Sequence, residues 1–167
     1  MKRVRYAAYG SNLHPLRLAR RVPSAQLLGT AHLPTRALEF HKRSADGSAK
    51  CTILEPGDGV HVAVYEFLTV EKTDLDDIEG VGIGYDHSSI DVPGFGECYT
   101  YVASTSHRND CLKPYDWYRE LVVLGCYKHG FPQDYVSRIE RIATDPDPDA
   151  ERGRLNWEIV RLLRSAG

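Results

Sequence analysis

Apolar and polar positions alternate from the start of the chain. Val4, Tyr6 and Ala8 alternate with Arg5 and Ala7, which predicts a strand over residues 4–9. Pro15 opens a predicted helix to about residue 22, because its fixed φ and missing N–H suit a first helical turn. Strands are expected over residues 25–33, 36–42, 51–54 and 60–68, the last apolar on both faces and so well buried. Between the last two lies Glu55-Pro56-Gly57-Asp58-Gly59, the chemistry of a hairpin turn. A short acidic helix over residues 71–79 stops at Gly80, and Gly82 and Gly84 keep the next loop open. Strands over 85–92 and 97–103 flank Pro93-Gly94-Phe95-Gly96, and a polar loop covers 104–114. The longest helix spans 115–128, with Trp117, Leu121, Leu124 and Tyr127 near an apolar stripe and Gly130 beyond its end. Pro132 opens another, with Tyr135, Ile139 and Ile142 on one face. Asp145-Pro146-Asp147-Pro148-Asp149 then links to a last helix over about 154–164.

One helix follows the first strand, strands dominate to Ala103, and helices finish the chain. With no repeat and no regular βαβ alternation, the expected class is α+β: a mostly antiparallel sheet or small barrel with helices packed on it. The 167 residues fit a single domain over 1–167. Hydrophobic residues at 42% and charged residues at 26% are ordinary for a soluble globular protein. No apolar run approaches membrane-spanning length, so no membrane partner is expected. At a net charge of −2, the densest basic group (Arg17, Arg20, Arg21) reads as a solvated helix face, and nucleic acid is not expected as a partner. Cys51, Cys98, Cys111 and Cys126 lack zinc spacing and read as thiols of a reducing compartment, hence a cytoplasmic location. The seven histidines are scattered singly, so no metal is expected.

Two stretches carry candidate chemistry. Tyr9-Gly10-Ser11-Asn12-Leu13 joins the first strand to the first helix, with a glycine that admits close backbone approach and two small polar residues behind it. Such a loop is either a capped turn or a set of free amides for a carboxylate or a developing oxyanion. Glu79 ends a short helix, where unpaired carbonyls and the neighbouring Asp76 and Asp77 press against ionisation. That pressure is what a general base near neutral pH requires. The plainer reading is an exposed acidic helix end.

Taken together, Ala8-Tyr9-Gly10-Ser11-Asn12-Leu13 and the later Ile78-Glu79-Gly80-Val81 before Gly84-Tyr85 resemble the gamma-glutamylcyclotransferases. Tyr118, the run from Gly125 to Pro132, and Tyr135 extend the resemblance from Val4 to about Asp145. The resemblance implies a small, closed or nearly closed, mostly antiparallel β-barrel with surrounding helices and a pocket at the loop. It implies release of 5-oxoproline from a gamma-glutamyl compound, the substrate α-amine attacking its own γ-carbonyl without a cofactor. Glu79 would be the catalytic acid/base. The amides of Gly10, Ser11 and Asn12 would hold the α-carboxylate or the oxyanion, with Tyr9, Leu13 and Tyr118 as further substrate contacts. The implied partner is a small gamma-glutamyl molecule, and a homodimer stays open. Asp86-His87 and the 104–114 loop fall outside the match, which leaves the leaving group open among gamma-glutamyl amino acids, gamma-glutamylamines and a biosynthetic gamma-glutamyl group. Two other readings stand beside it: a binding module without turnover, and a hydrolase acting through Ser11, whose loop lacks the second glycine of a GxSxG elbow.

Overall fold

The computed structural model describes residues 1–167. Seven strands are formed: β1 (Arg3–Ala8), β2 (Gln26–Leu33), β3 (Ala37–Arg43), β4 (Ala49–Leu54), β5 (Val60–Leu68), β6 (Tyr85–Val92) and β7 (Gly96–Ala103). The helices are α1 (Pro15–Arg21), α2 (Lys72–Glu79), α3 (Asp116–Lys128), α4 (Gln133–Glu140) and α5 (Ala150–Ser165). The expected α+β class holds, with each element within a few residues of its predicted place.

The strands pair as a five-stranded sheet of order β2-β5-β1-β7-β6 and a two-stranded sheet of β3 and β4. β5 lies between two neighbours, and its Val62, Ala63, Val64, Tyr65 and Phe67 are all buried, as its apolar pattern on both faces requires. Every pairing is antiparallel except β1 with β7, where Tyr6 stands beside Tyr99. β1 thereby delivers the loop after Ala8 to the centre of the large sheet's end.

Residues 55–59 do not close the predicted hairpin. β4 pairs with β3, Leu38 opposite Ile53, while β5 pairs with β1 and β2. The amides of Gly57 and Gly59 donate to the carbonyls of Thr35 and Arg36 at 2.8 Å, so the segment docks on the β2–β3 turn and carries the chain between sheets. Turn chemistry marks where a chain reverses, and pairing is decided by the faces available afterwards. The true hairpin is β3–β4, closed where Ser44 N–H donates to the Ser48 carbonyl at 3.0 Å.

Two further differences concern the helices. In α3 the buried set includes Tyr118, Leu121, Val122, Gly125 and Cys126, while Tyr127 is half exposed and donates its hydroxyl to Glu140 at 2.8 Å. The apolar face is broader than the single predicted stripe because α3 packs on both α4 and α5. α5 begins four residues earlier than expected, since Asp149 caps it by accepting the Arg152 N–H at 2.9 Å. Within the same acidic run the Asp147 side chain, 2% exposed, accepts from Arg152 at 2.5 and 2.8 Å and from the Trp117 indole at 3.0 Å. The link is a clasp between α3 and α5.

The hydrogen bonds from Arg152 hold the Asp147 carboxyl down at about 2. Its folded value lies below the ordinary one, so its contribution is complete above about pH 4 and is lost as pH falls toward about 2. Asp147→Asn is expected to cost about 1–2 kcal/mol at neutral pH and to flatten the loss of stability through that acid window. Urea unfolding across pH 2–7 would show it, and a variant with the parental slope would contradict it.

Candidate active site

The loop after β1 is held from two sides. Leu13 N–H donates to the Gly10 carbonyl at 3.1 Å, closing the turn. The Leu13 carbonyl accepts the Tyr65 hydroxyl at 2.6 Å and, with the ring nitrogen assigned as donor, His129 Nε2 at 2.7 Å. α3 crosses directly behind: a Cβ on Gly125 would stand 2.4 Å from Leu13 Cβ and 3.1 Å from the His14 nitrogen. Only a residue without a side chain lets the helix pass this close. On the opposite side a Cβ at Gly10 would meet Cys51 Cβ at 3.1 Å. So clamped, the amides of Gly10, Ser11 and Asn12 donate to no protein group.

Glu79 occupies the last turn of α2. Gly80 follows in the left-handed region at φ 73°, where glycine carries no penalty, and Val81 N–H returns to the Asp76 carbonyl at 3.0 Å. The Glu79 side chain is 16% exposed. Its Oε1 accepts from Asn12 Nδ2 and from Arg21, both at 2.9 Å, and Arg21 also donates to Asn12 Oδ1 at 3.0 Å. Its Oε2 makes no protein hydrogen bond. The expected like-charge neighbour is occupied elsewhere: Asp76 accepts from Lys72 at 2.7 Å and from the Tyr101 hydroxyl at 2.6 Å, and pairs with His87 at 2.8 Å. What stands beside Glu79 is a guanidinium.

Of the three cavities that Glu79 lines, two share Ser11, Tyr85 and Tyr118 as walls. The inner recess, about 20 Å³, is lined by the loop from Tyr9 to Asn12 and by a shell of tyrosines. The Tyr9 hydroxyl donates to the Tyr101 carbonyl, and the Tyr85 hydroxyl to the Cys51 carbonyl at 2.5 Å. The Tyr118 hydroxyl accepts from Cys51 N–H at 3.0 Å and keeps its own proton to give. Burial, with the Glu79 charge adding to it, holds Tyr6, Tyr9, Tyr85 and Tyr118 neutral far above an ordinary phenol, and burial lifts the Cys51 thiol to about 12. The outer cavity, about 200 Å³, adds Arg17, Arg21, Lys42, Lys50, Trp117 and Asn156.

Of the residues read from the sequence, Tyr9, Gly10, Ser11, Asn12, Glu79 and Tyr118 converge on these cavities. Leu13 does not: it is fully buried against Gly125 and anchors the loop from the core side. The basic group of α1 is a solvated face only at Arg20, which is exposed. Arg17 is 8% exposed and Arg21 pairs with Glu79, and their spacing of four along a helix that follows the loop was the available signal. Lys42 and Lys50 reach the cavity from β3 and β4 with no sequence sign. No group of three or more His, Cys, Asp and Glu side chains could hold a metal ion, and no helix is long and apolar enough to cross a membrane.

A model of the AIG2-like family matches residues 59–139. A gamma-glutamylcyclotransferase of Bos taurus is 27% identical over 168 residues, covering 95% of this chain and 87% of the relative. That of Mus musculus is 28% identical over 167 residues with the same coverage. A solved gamma-glutamyl cyclotransferase superposes with a TM-score of 0.83 at 25% identity, over 96% of this chain and 99% of the other. The resemblance read from the loop and Glu79 is thus borne out in sequence and in fold.

Two variants test how the site is held. Gly125→Ala forces α3 off Leu13 and is expected to cost about 1–3 kcal/mol, against the slight gain alanine brings to an unhindered helix. Arg21→Gln leaves Glu79 with Asn12 alone and is expected to cost about 1–2 kcal/mol. Urea denaturation measures both, and parental midpoints would remove the clamp and the ion pair as structural elements.

Proposed function

We propose that this relative of the gamma-glutamylcyclotransferases releases 5-oxoproline from gamma-glutamyl amides, with Glu79 as the acid/base. One observation carries the reading: a carboxylate with one oxygen fixed and the other free stands beside a loop whose three successive amides have no partner.

The reaction asks for little else. The substrate's α-ammonium loses a proton to Glu79 Oε2 and becomes a nucleophile. Its nitrogen bonds to the γ-carbon, and the carbonyl oxygen becomes an oxyanion. The C–N bond to the leaving amine then breaks as Glu79 returns the proton to the departing nitrogen, and Glu79 next carries the second proton from the new ring nitrogen to the released amine. Across the cycle the ammonium gives up two protons, the leaving amine gains two, the carboxylate ends as it began, and no water is consumed. Asn12 and Arg21, both on Oε1, turn Oε2 toward the reacting nitrogen. The loop amides of Gly10, Ser11 and Asn12 serve the α-carboxylate or the oxyanion. Tyr9 shapes the recess, and the free proton of Tyr118 offers a further donor. The recess walls would fold the flexible glutamyl chain so that amine and carbonyl meet.

Two structural readings belong with this one. Residues 1–167 act as one domain, supported by a single core that draws on Leu13, Phe67, Leu121 and Leu163 from distant parts of the chain. The two sheets form a nearly closed barrel. That is supported by Ala103 N–H of β7 donating to the Thr52 hydroxyl of β4 at 3.0 Å and by the Phe95 ring lying over Gly29 of β2.

Glu79→Gln is expected to stay folded and to lose at least about a thousandfold in kcat, because the amide cannot take the ammonium proton. Oxoproline release from gamma-glutamyl-alanine, run beside parental protein, measures it. Near-parental turnover would sink the assignment.

A further inference from the structure

Two cations of the outer cavity have no partner. Arg17 and Lys42 are each 8% exposed, and both line the cavity. Arg17 makes no hydrogen bond or ion pair, and its Nε is buried with nothing to receive it. The Lys42 ammonium rests only over the Tyr85 ring, 4.6 Å from its centroid. The other two cations are spoken for: Arg21 pairs with Glu79 at 2.9 Å and Lys50 with Asp46 at 2.8 Å. Burial lowers both Arg17, to about 10, and Lys42, while the Glu79 charge supports each, so both stand within electrostatic reach of the acid/base carboxylate. Lys42 is also held in place: a Cβ on Gly84 would fall 2.8 Å from its Cε and 3.0 Å from its Nζ.

Burying an unpaired cation is unfavourable, and two in one cavity more so. The imbalance is removed when an anion enters from outside. With the loop amides taking the glutamyl α-carboxylate, the first of the two roles given them above, these cations are left to the leaving group. A gamma-glutamylamine then brings no further anion, and a neutral amino acid brings one carboxylate for two cations. An acidic amino acid brings two.

We propose that Arg17 and Lys42 are specificity-determining residues that bind a doubly anionic leaving group, so that the preferred substrate is a gamma-glutamyl conjugate of an acidic α-amino acid. This rests on the cyclotransferase reading above and narrows it. The leaving amino acid departs with its two carboxylates, one toward each cation, while Glu79 protonates its nitrogen.

The test compares oxoproline release from gamma-glutamyl-glutamate, gamma-glutamyl-alanine and gamma-glutamyl-ε-lysine. Parental protein is expected to favour the glutamate conjugate over the alanine one by at least about tenfold in kcat/KM, and the lysine conjugate less than either. Lys42→Gln and Arg17→Gln are each expected to pull that ratio toward one, chiefly through KM on the acidic substrate. Near-ultraviolet circular dichroism checks folding, and Lys42→Gln carries the test where Arg17→Gln fails to fold. Equal kcat/KM for the glutamate and alanine conjugates, or a ratio that Lys42→Gln leaves unmoved, overturns the proposal. Absence of release from all three conjugates defeats the cyclotransferase reading instead. Calorimetry with Glu79→Gln then decides the inference separately: gamma-glutamyl-glutamate binding at least about tenfold tighter than gamma-glutamyl-alanine upholds it, and equal affinities overturn it.

Discussion

Asn12 and Arg21 meet on one oxygen of Glu79, and the site depends on that meeting. The three residues come from the loop after β1, the end of α1 and the end of α2, with 67 positions separating Asn12 from Glu79 and 58 separating Arg21 from it. None of these segments is long or apolar enough to place itself. α1 has seven residues, and α2 buries only Leu75. Charge-assisted hydrogen bonds with both partners partly shielded from water are stronger than their surface counterparts, and here they also set direction. The carboxylate is fixed on one side, which is why its other side is available.

The walls around it follow a second rule. Five tyrosines enclose the recess, and three of their hydroxyls serve backbone groups of neighbouring strands: Tyr9 on Tyr101, Tyr85 on Cys51, Tyr118 receiving from Cys51. Each buries a large ring and satisfies a polar tip, so the polar groups left without a partner at the recess are the loop amides and Glu79 Oε2. Interactions made within so small a recess, walled by buried rings, are correspondingly strong.

Much of this architecture was readable in the sequence because it is local. Alternation marked the strands, Pro15 opened α1, and Gly80 closed α2 at the residue that matters. The loop and Glu79 were found as motifs. What escaped were features that depend on tertiary partners. The glycine-rich segment at 55–59 spoke for a reversal and was silent on the sheet its strands would join. Arg17 and Arg21 had the appearance of a solvated helix face, since nothing in a run of arginines says that a carboxylate 58 residues away will meet one of them. Lys42 and Lys50 sat in strands where lysine usually points to water. Asp76 was expected to stand as the like-charge neighbour of Glu79, but Lys72 of the same helix and Tyr101 and His87 of other elements claim it.

The contact between Lys42 and Gly84 has an evolutionary consequence. Lys42 lies on β3, while Gly84 sits in the short loop that follows Glu79 and leads into β6. A shorter side chain at 42 leaves a gap over that loop, and a larger residue at 84 displaces the ammonium, so neither position is free to drift alone. On the substrate reading proposed above, a lineage exploring new leaving groups through position 42 therefore disturbs the loop beside Glu79 with every step. Substrate range and turnover are coupled in such a protein, and changes of one are expected to arrive in pairs.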